Sequence, residues 1–169
     1  DCVLLDAHGG SGAVEDAVAL AADLLISPVR PDVLSGSEFM DGTLRMLERL
    51  DASSAIGAGL GPMKAVINCL RRTNNSRLVA DTIRANFLRA QGRVTVLDTV
   101  IPDANAYQAA ATAQVPVHRF DRQRGHATVS AHELMHRLAW ELIPSLQGVY
   151  AGHPRQHMSL AQQEANHGG

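Results

Sequence analysis

Apolar residues along this chain fall into two rhythms. Short unbroken runs alternate with longer stretches in which apolar positions recur every three or four residues. The runs Cys2 to Leu5, Leu24 to Pro28, Ala65 to Leu70 and Val94 to Asp98 read as four buried strands. Between them the helical rhythm covers Val14 to Ala22, Ser35 to about Leu50, and Asn74–Ser76 to about Gly92. It returns over Asn105 to Ala113 and over Thr128 to Ile143, where Pro144 stops it. Ser11 is placed to cap the first helix, with Glu15 and Asp16 favourable in its first turn. Ser35 and Glu38 have capping-box spacing. Strands alternating with helices predict parallel strands joined by crossovers, an α/β sheet with helices on both faces. In such sheets the working residues sit just beyond the carboxyl ends of the strands.

A length of 169 residues with 46% hydrophobic content and a formal charge of -2 suits one soluble domain. The organisation expected is a domain over 1–147 and a polar, disordered tail over 148–169, in which His153, His157 and His167 are scattered among Gln, Gly and Pro. The apolar stretch Ala13 to Val29 is broken by Glu15, Asp16 and Asp23, so no membrane partner is expected and the location implied is cytoplasmic. Cys2 and Cys69 both lie in apolar runs and are expected to be buried free thiols rather than a disulfide. A chain that opens at Asp1 and enters a strand at once reads as the later part of a longer one.

The near-neutral total hides an asymmetry. Residues 1–53 carry ten acids against three arginines, whereas residues 64–93 carry seven bases against one acid. A basic middle segment is either a solvated helix face or a surface for a polyanion. The glycines of "GAGLGPMK" precede a strand instead of following one, and Pro62 removes a backbone donor, so a plain turn is expected there rather than a phosphate loop.

Two motifs carry candidate chemistry. "HELMH", His132 to His136, has the spacing of a zinc helix: two imidazoles on one side and a glutamate able to act on a metal-bound water. Ala131, Leu134, Met135, Leu138 and Leu142 form the apolar stripe of that helix, which leaves His132 and His136 on its flank. Ala139 and Leu142 occupy the glycine and third-histidine positions of the extended metalloprotease pattern. A zinc hydrolase therefore stands as an alternative. The second motif is "VLLDAHGGSG", an aspartate after an apolar run and before a glycine turn, as a Mg²⁺-dependent nucleotide triphosphatase requires.

That segment is followed in order by "ADLLISPVRPDVLS", "AVINCLRRTNNSRLVADTIR", "VLDTVIPDANAYQAA" and "VPVHRFDRQRGHATVSAHELMHRLAWEL". The succession resembles the ParA/MinD class of deviant-Walker P-loop ATPases, most closely the ParA-type partition ATPases, over about residues 1 to 146. The resemblance implies a P-loop NTPase-like α/β fold whose first strand and phosphate loop are missing here. By it, Asp6 would be the Walker-B-like carboxylate that assists Mg²⁺, and Gly10 the switch glycine that senses the γ-phosphate. Asn68 would lie near the adenine base, and Pro102 and Asp103 would form the loop against the purine. The family commonly has arginine where this chain has Asp103, and proline where it has His8.

The activity implied is ATP hydrolysis with Mg²⁺ in plasmid or chromosome segregation. It goes with an ATP-bound homodimer that holds nonspecific DNA at the nucleoid, and with a ParB-like centromere-binding partner that stimulates release. Arg71, Arg72, Arg77, Arg84, Arg119, Arg122 and Arg124 become the candidate phosphate contacts. The family's K-G-G-x-x-G-K loop, ending in Ser or Thr, occurs nowhere in the 169 residues, so this chain alone is not expected to hydrolyse ATP. A MinD-like ATPase with a membrane or protein cargo, and a nonenzymatic binding module, are further alternatives.

Overall fold

The computed structural model describes residues 2–7, 12–51, 59–89, 92–122 and 129–147, together with every side chain among them except those of Glu38, Leu88 and Arg89. The chain divides into two compact units, Asp1–Val115 and Pro116–Gly169. No helix among the described residues is long and apolar enough to cross a membrane.

The first unit holds helix α1 (Ala13–Ala21), strand β1 (Leu25–Val29), helix α2 (Val33–Asp51), strand β2 (Met63–Ile67), helix α3 (Asn74–Arg89), strand β3 (Val94–Val96) and helix α4 (Asn105–Thr112). The three strands form one parallel sheet in the order β1-β2-β3, with Leu25 opposite Met63 and Met63 opposite Val94. The expected α/β fold with a parallel sheet flanked by helices is therefore present. Central β2 is buried on both faces, as expected of a middle strand in a parallel sheet: Ala65 and Ile67 point one way and Val66 the other, and all three are buried.

On the Ala65–Ile67 side the core contains Val29, Leu47, Met63, Ala80, Ile83, Phe87 and Val94. The Phe39 and Phe87 rings meet there at 5.1 Å, joining α2 to α3. Gly36 lets these helices approach closely, since a Cβ at that position would sit 3.2 Å from Ile83. Before β2, Gly61 passes so near the α1–β1 turn that a Cβ would lie 2.7 Å from the carbonyl oxygens of Ala22 and Asp23. The expected turn at "GAGLGPMK" thus has a packing role at Gly61, while Gly57 lies outside the described residues.

Three expectations need correction. Cys2 to Leu5 is not a strand: the segment joins no ladder, and Val3, Leu4 and Leu5 are 81%, 87% and 54% exposed. Composition gave it strand propensity, but a strand exists only against a neighbour whose N–H and C=O groups it pairs. Cys2 is consequently exposed rather than buried, and Cys69 is partly buried; both are free thiols. The cap of α2 is Asp32 rather than Ser35, because its carboxylate accepts both the Ser35 N–H at 2.8 Å and the Ser35 hydroxyl at 2.9 Å. Those bonds, the Ser35 backbone donor first, hold the Asp32 carboxyl below its ordinary pKa. Ser11, the expected cap of α1, lies outside the described residues; α1 begins at Ala13, with Gly12 at the cap position and no side-chain cap bond.

The second unit contains a short helix α5 (Val117–Phe120) and helix α6 (Ala131–Leu142). Ser130 caps α6 by accepting the Glu133 N–H at 3.2 Å. Asp121 adds two acceptors at the same end, its carboxylate for Ala131 N–H and its carbonyl for His132 N–H. The expected tail, 148–169, lies outside the described residues.

Candidate functional site

The carboxyl rim of β2 and β3 is where the chain brings chemistry-bearing residues together. β2 leaves the sheet at Asn68, whose N–H still donates to the Val29 carbonyl at 2.8 Å. The side-chain oxygen of Asn68 then accepts the Cys69 N–H at 2.9 Å, so the other half of the amide is its NH₂ donor. Cys69 adopts the left-handed region, φ 57°, and turns the chain sharply. Opposite it, the loop after β3 is fastened by Ile101 N–H to Ile67 O at 2.9 Å, Leu70 N–H to Ile101 O at 3.0 Å and Asp103 N–H to Leu70 O at 3.0 Å. Leu70 and Pro102 form an isolated parallel bridge. Asn68, Pro102 and Asp103 therefore share one rim of the sheet, separated by a few backbone hydrogen bonds.

Arginines adjoin this rim. Arg71 Nε donates to Asp103 Oδ2 at 3.3 Å. Thr73 caps α3, its hydroxyl oxygen accepting the Ser76 N–H at 3.2 Å, so that Arg71 and Arg72 precede the helix and Arg77 follows in its first turns. Arg71, Arg72 and Arg77 are exposed. Arg77 borders an open depression of about 580 Å³ shared with Asn74, Asn75, Leu78 and Asp81. Arg84 is different: it is partly buried, donates to the Leu97 carbonyl at 3.2 Å and lies 3.8 Å from Asp81. That guanidinium fastens α3 to the end of β3 and has least freedom to meet an outside anion.

Asp6 does not stand at a strand end. It lies in the exposed segment 2–7, outside the sheet. Gly10 is outside the described residues, as is Arg124. Arg119 and Arg122 belong to the second unit, where both are exposed.

The second unit also contains the HELMH segment. His132 Nδ1 lies 2.9 Å from the His118 carbonyl, an acceptor, so this nitrogen carries the proton. The His132 and His136 rings are 4.4 Å apart, and the His136 ring meets Trp140 edge-on at 5.6 Å. Burial first, then the neighbouring His132 and His118, push the His136 pKa below its ordinary value. Glu133, the residue a zinc hydrolase would use as base, is paired with Arg137 at 2.6 Å. Among the described residues no group of three His, Cys, Asp or Glu side chains is placed to hold a metal ion.

No known family model matches this chain, and no curated protein matches it either.

Two features of the rim were missed in the sequence. Thr73 as the cap of α3 was legible in principle, being a threonine three residues ahead of a buried serine. The Arg71–Asp103 pair joins residues 32 apart, and no local pattern signals it.

Proposed function

We propose that the chain is the carboxyl-terminal portion of a ParA-type partition ATPase, which binds ATP with Mg²⁺, dimerises and holds nonspecific DNA during plasmid or chromosome segregation. The observation that carries this reading is the joining of the Asn68 loop to the Pro102–Asp103 loop at the carboxyl rim of a parallel sheet, beside three exposed arginines. Ligands of α/β sheets bind at such rims. The Asn68 NH₂ is a donor of the kind that purine ring nitrogens accept, and Pro102 supplies an apolar ring at the same rim.

The phosphate end has no comparable anchor. The 169 residues contain no phosphate loop, and a single carboxylate repels a triphosphate. Hydrolysis is accordingly proposed for a protein that carries that loop upstream of Asp1. The outer edge of β1 is compatible with this arrangement, because among the described residues no strand lies beside it and another parallel one can be added. Asp6 is the candidate Mg²⁺ carboxylate and Gly10 the candidate γ-phosphate sensor. Arg71, Arg72 and Arg77 are the leading phosphate contacts for DNA, with a ParB-like protein as the stimulating partner.

The test uses the full-length protein in an ATPase assay with Mg²⁺ and nonspecific duplex. Asp6→Ala is expected to abolish turnover, and Asn68→Ala to raise KM for ATP several-fold while sparing GTP. Turnover that survives Asp6→Ala would remove Asp6 from the site. Absence of both ATP binding and salt-sensitive DNA binding would overturn the proposal.

A further inference from the structure

Of the three exposed arginines beside the carboxyl rim, one is already held. Arg71 meets Asp103, whereas Arg72 and Arg77 have no carboxylate within ion-pair distance among the described residues. The two members of the pair are fixed unequally. Asp103 is anchored by its own main chain, since its N–H donates to Leu70 at 3.0 Å and the adjoining Pro102 bridges to Leu70. Arg71 reaches it only through a long side chain. Both groups face water, with side chains 66% and 40% exposed, which makes the attraction weak and exchangeable.

A guanidinium presents its donors as a fork that suits a carboxylate and a phosphate equally well. Asp103 takes only the Nε–H, at 3.3 Å, so the pair engages one of the five donors and offsets the positive charge behind the other four. Resting on the DNA-binding reading above, we propose that Asp103 is an internal competitor for Arg71, a carboxylate that engages the Nε–H and offsets the guanidinium charge until a DNA phosphate displaces it. A duplex offers a dense row of phosphates and a gain from released counterions, so it wins the exchange at low salt and loses that advantage as salt rises. Arg72 and Arg77 give DNA a first hold that requires no exchange, and Arg71 adds its full charge and its Nε–H once the carboxylate is released. Asp103 in this way weakens casual contacts with other polyanions. Its position in the candidate purine loop also means that a ligand moving this loop alters how firmly Arg71 is held.

Two simpler roles compete with this one. Asp103 could merely repel DNA through its charge, or could only fasten the two loops together. A double-mutant cycle in the full-length protein separates them. Affinity for a nonspecific duplex is measured at fixed salt for the wild type, Asp103→Asn, Arg71→Ala and the double variant, with thermal melting as a check that each folds. Asp103→Asn is expected to tighten binding about two- to fivefold, the size of an exposed ion pair, and to change nothing in the Arg71→Ala background. Equal tightening in both backgrounds would mean a general charge effect and would overturn the inference, as would no tightening at all. In either case salt-sensitive binding by the wild type leaves the proposed function standing. A wild type that binds no duplex would instead remove the DNA reading, and this inference with it.

Discussion

The backbone of Leu70 is held from both sides by the loop around Pro102: its N–H donates to Ile101, and its carbonyl accepts from Asp103, each at 3.0 Å. These bonds extend the contact between β2 and β3 beyond the regular ladder, which ends at Ala65 and Val96. The rim is thereby a fixed platform for Asn68 and Arg71 rather than two independent loops.

The tight turn feeding that platform depends on Cys69 at φ 57°. A β-branched side chain is poorly tolerated in the left-handed region, so Cys69→Val is expected to lower stability by about 1–3 kcal/mol. Cys69→Gly and Cys69→Asn should be neutral or stabilising. Urea denaturation of the three variants checks the order.

Phe87 is 1% exposed and joins α3 to Phe39 of α2 beneath the sheet. Phe87→Ala is expected to cost about 3–5 kcal/mol, through lost burial and the cavity left behind. Equilibrium unfolding should show this as a large drop in midpoint. A small change would mean that the two helices close the gap.

Gly61→Ala brings a methyl group to 2.7 Å from two backbone oxygens, at Ala22 and Asp23, neither of which can rotate away. A loss of about 1–3 kcal/mol is expected from the forced shift. Gly59→Ala is the control, since nothing lies within 4 Å of its added Cβ, and it should leave thermal stability nearly unchanged.

The second unit has its own pH dependence. In the folded state the His136 pKa lies below its ordinary 6.5, so the unfolded chain binds a proton more readily. Stability from this group is complete above about pH 6.5 and declines as the pH falls from there toward the folded pKa. Far-UV circular dichroism of the protein with urea, from pH 8 to pH 5, should show α6 weakening on the acid side. His136→Phe should flatten that slope. An unchanged slope in the variant would mean that His136 does not carry the dependence.

Long periodic segments were read well because their own residues decide them. α3 begins at Asn74, where the helical rhythm starts, α6 ends at Leu142, just before Pro144, and β2 takes up the run Ala65 to Ile67. Boundaries that depend on a side chain's choice of partner were not legible. Asp32 captures Ser35 although Ser35 itself has capping-box spacing, and the Glu38 side chain that would complete that box is outside the described residues. Cys2 to Leu5 shows the reverse: a local preference for extended structure was plain, but a ladder needs a neighbour, which local sequence does not supply. α5 is too short, at four residues, to leave a periodic trace. At the candidate site, Asn68, Pro102 and Asp103 were singled out by the resemblance to ParA-type ATPases, and the structure brings the three to one rim. Their fastening through Leu70 and the engagement of Arg71 depend on contacts across some thirty residues.

Along β1, Leu25 donates inward to Pro62, and Val29 accepts from Asn68. Alternation therefore turns Ile26 and Pro28 toward the open side. Proline there removes a donor from the middle of the exposed rim, so an indiscriminate β-stack of identical copies meets a gap. Yet the carbonyls remain, and a strand that needs no donor at that level can still dock. Among the described residues, that edge therefore offers carbonyls at a level where it has no donor to give.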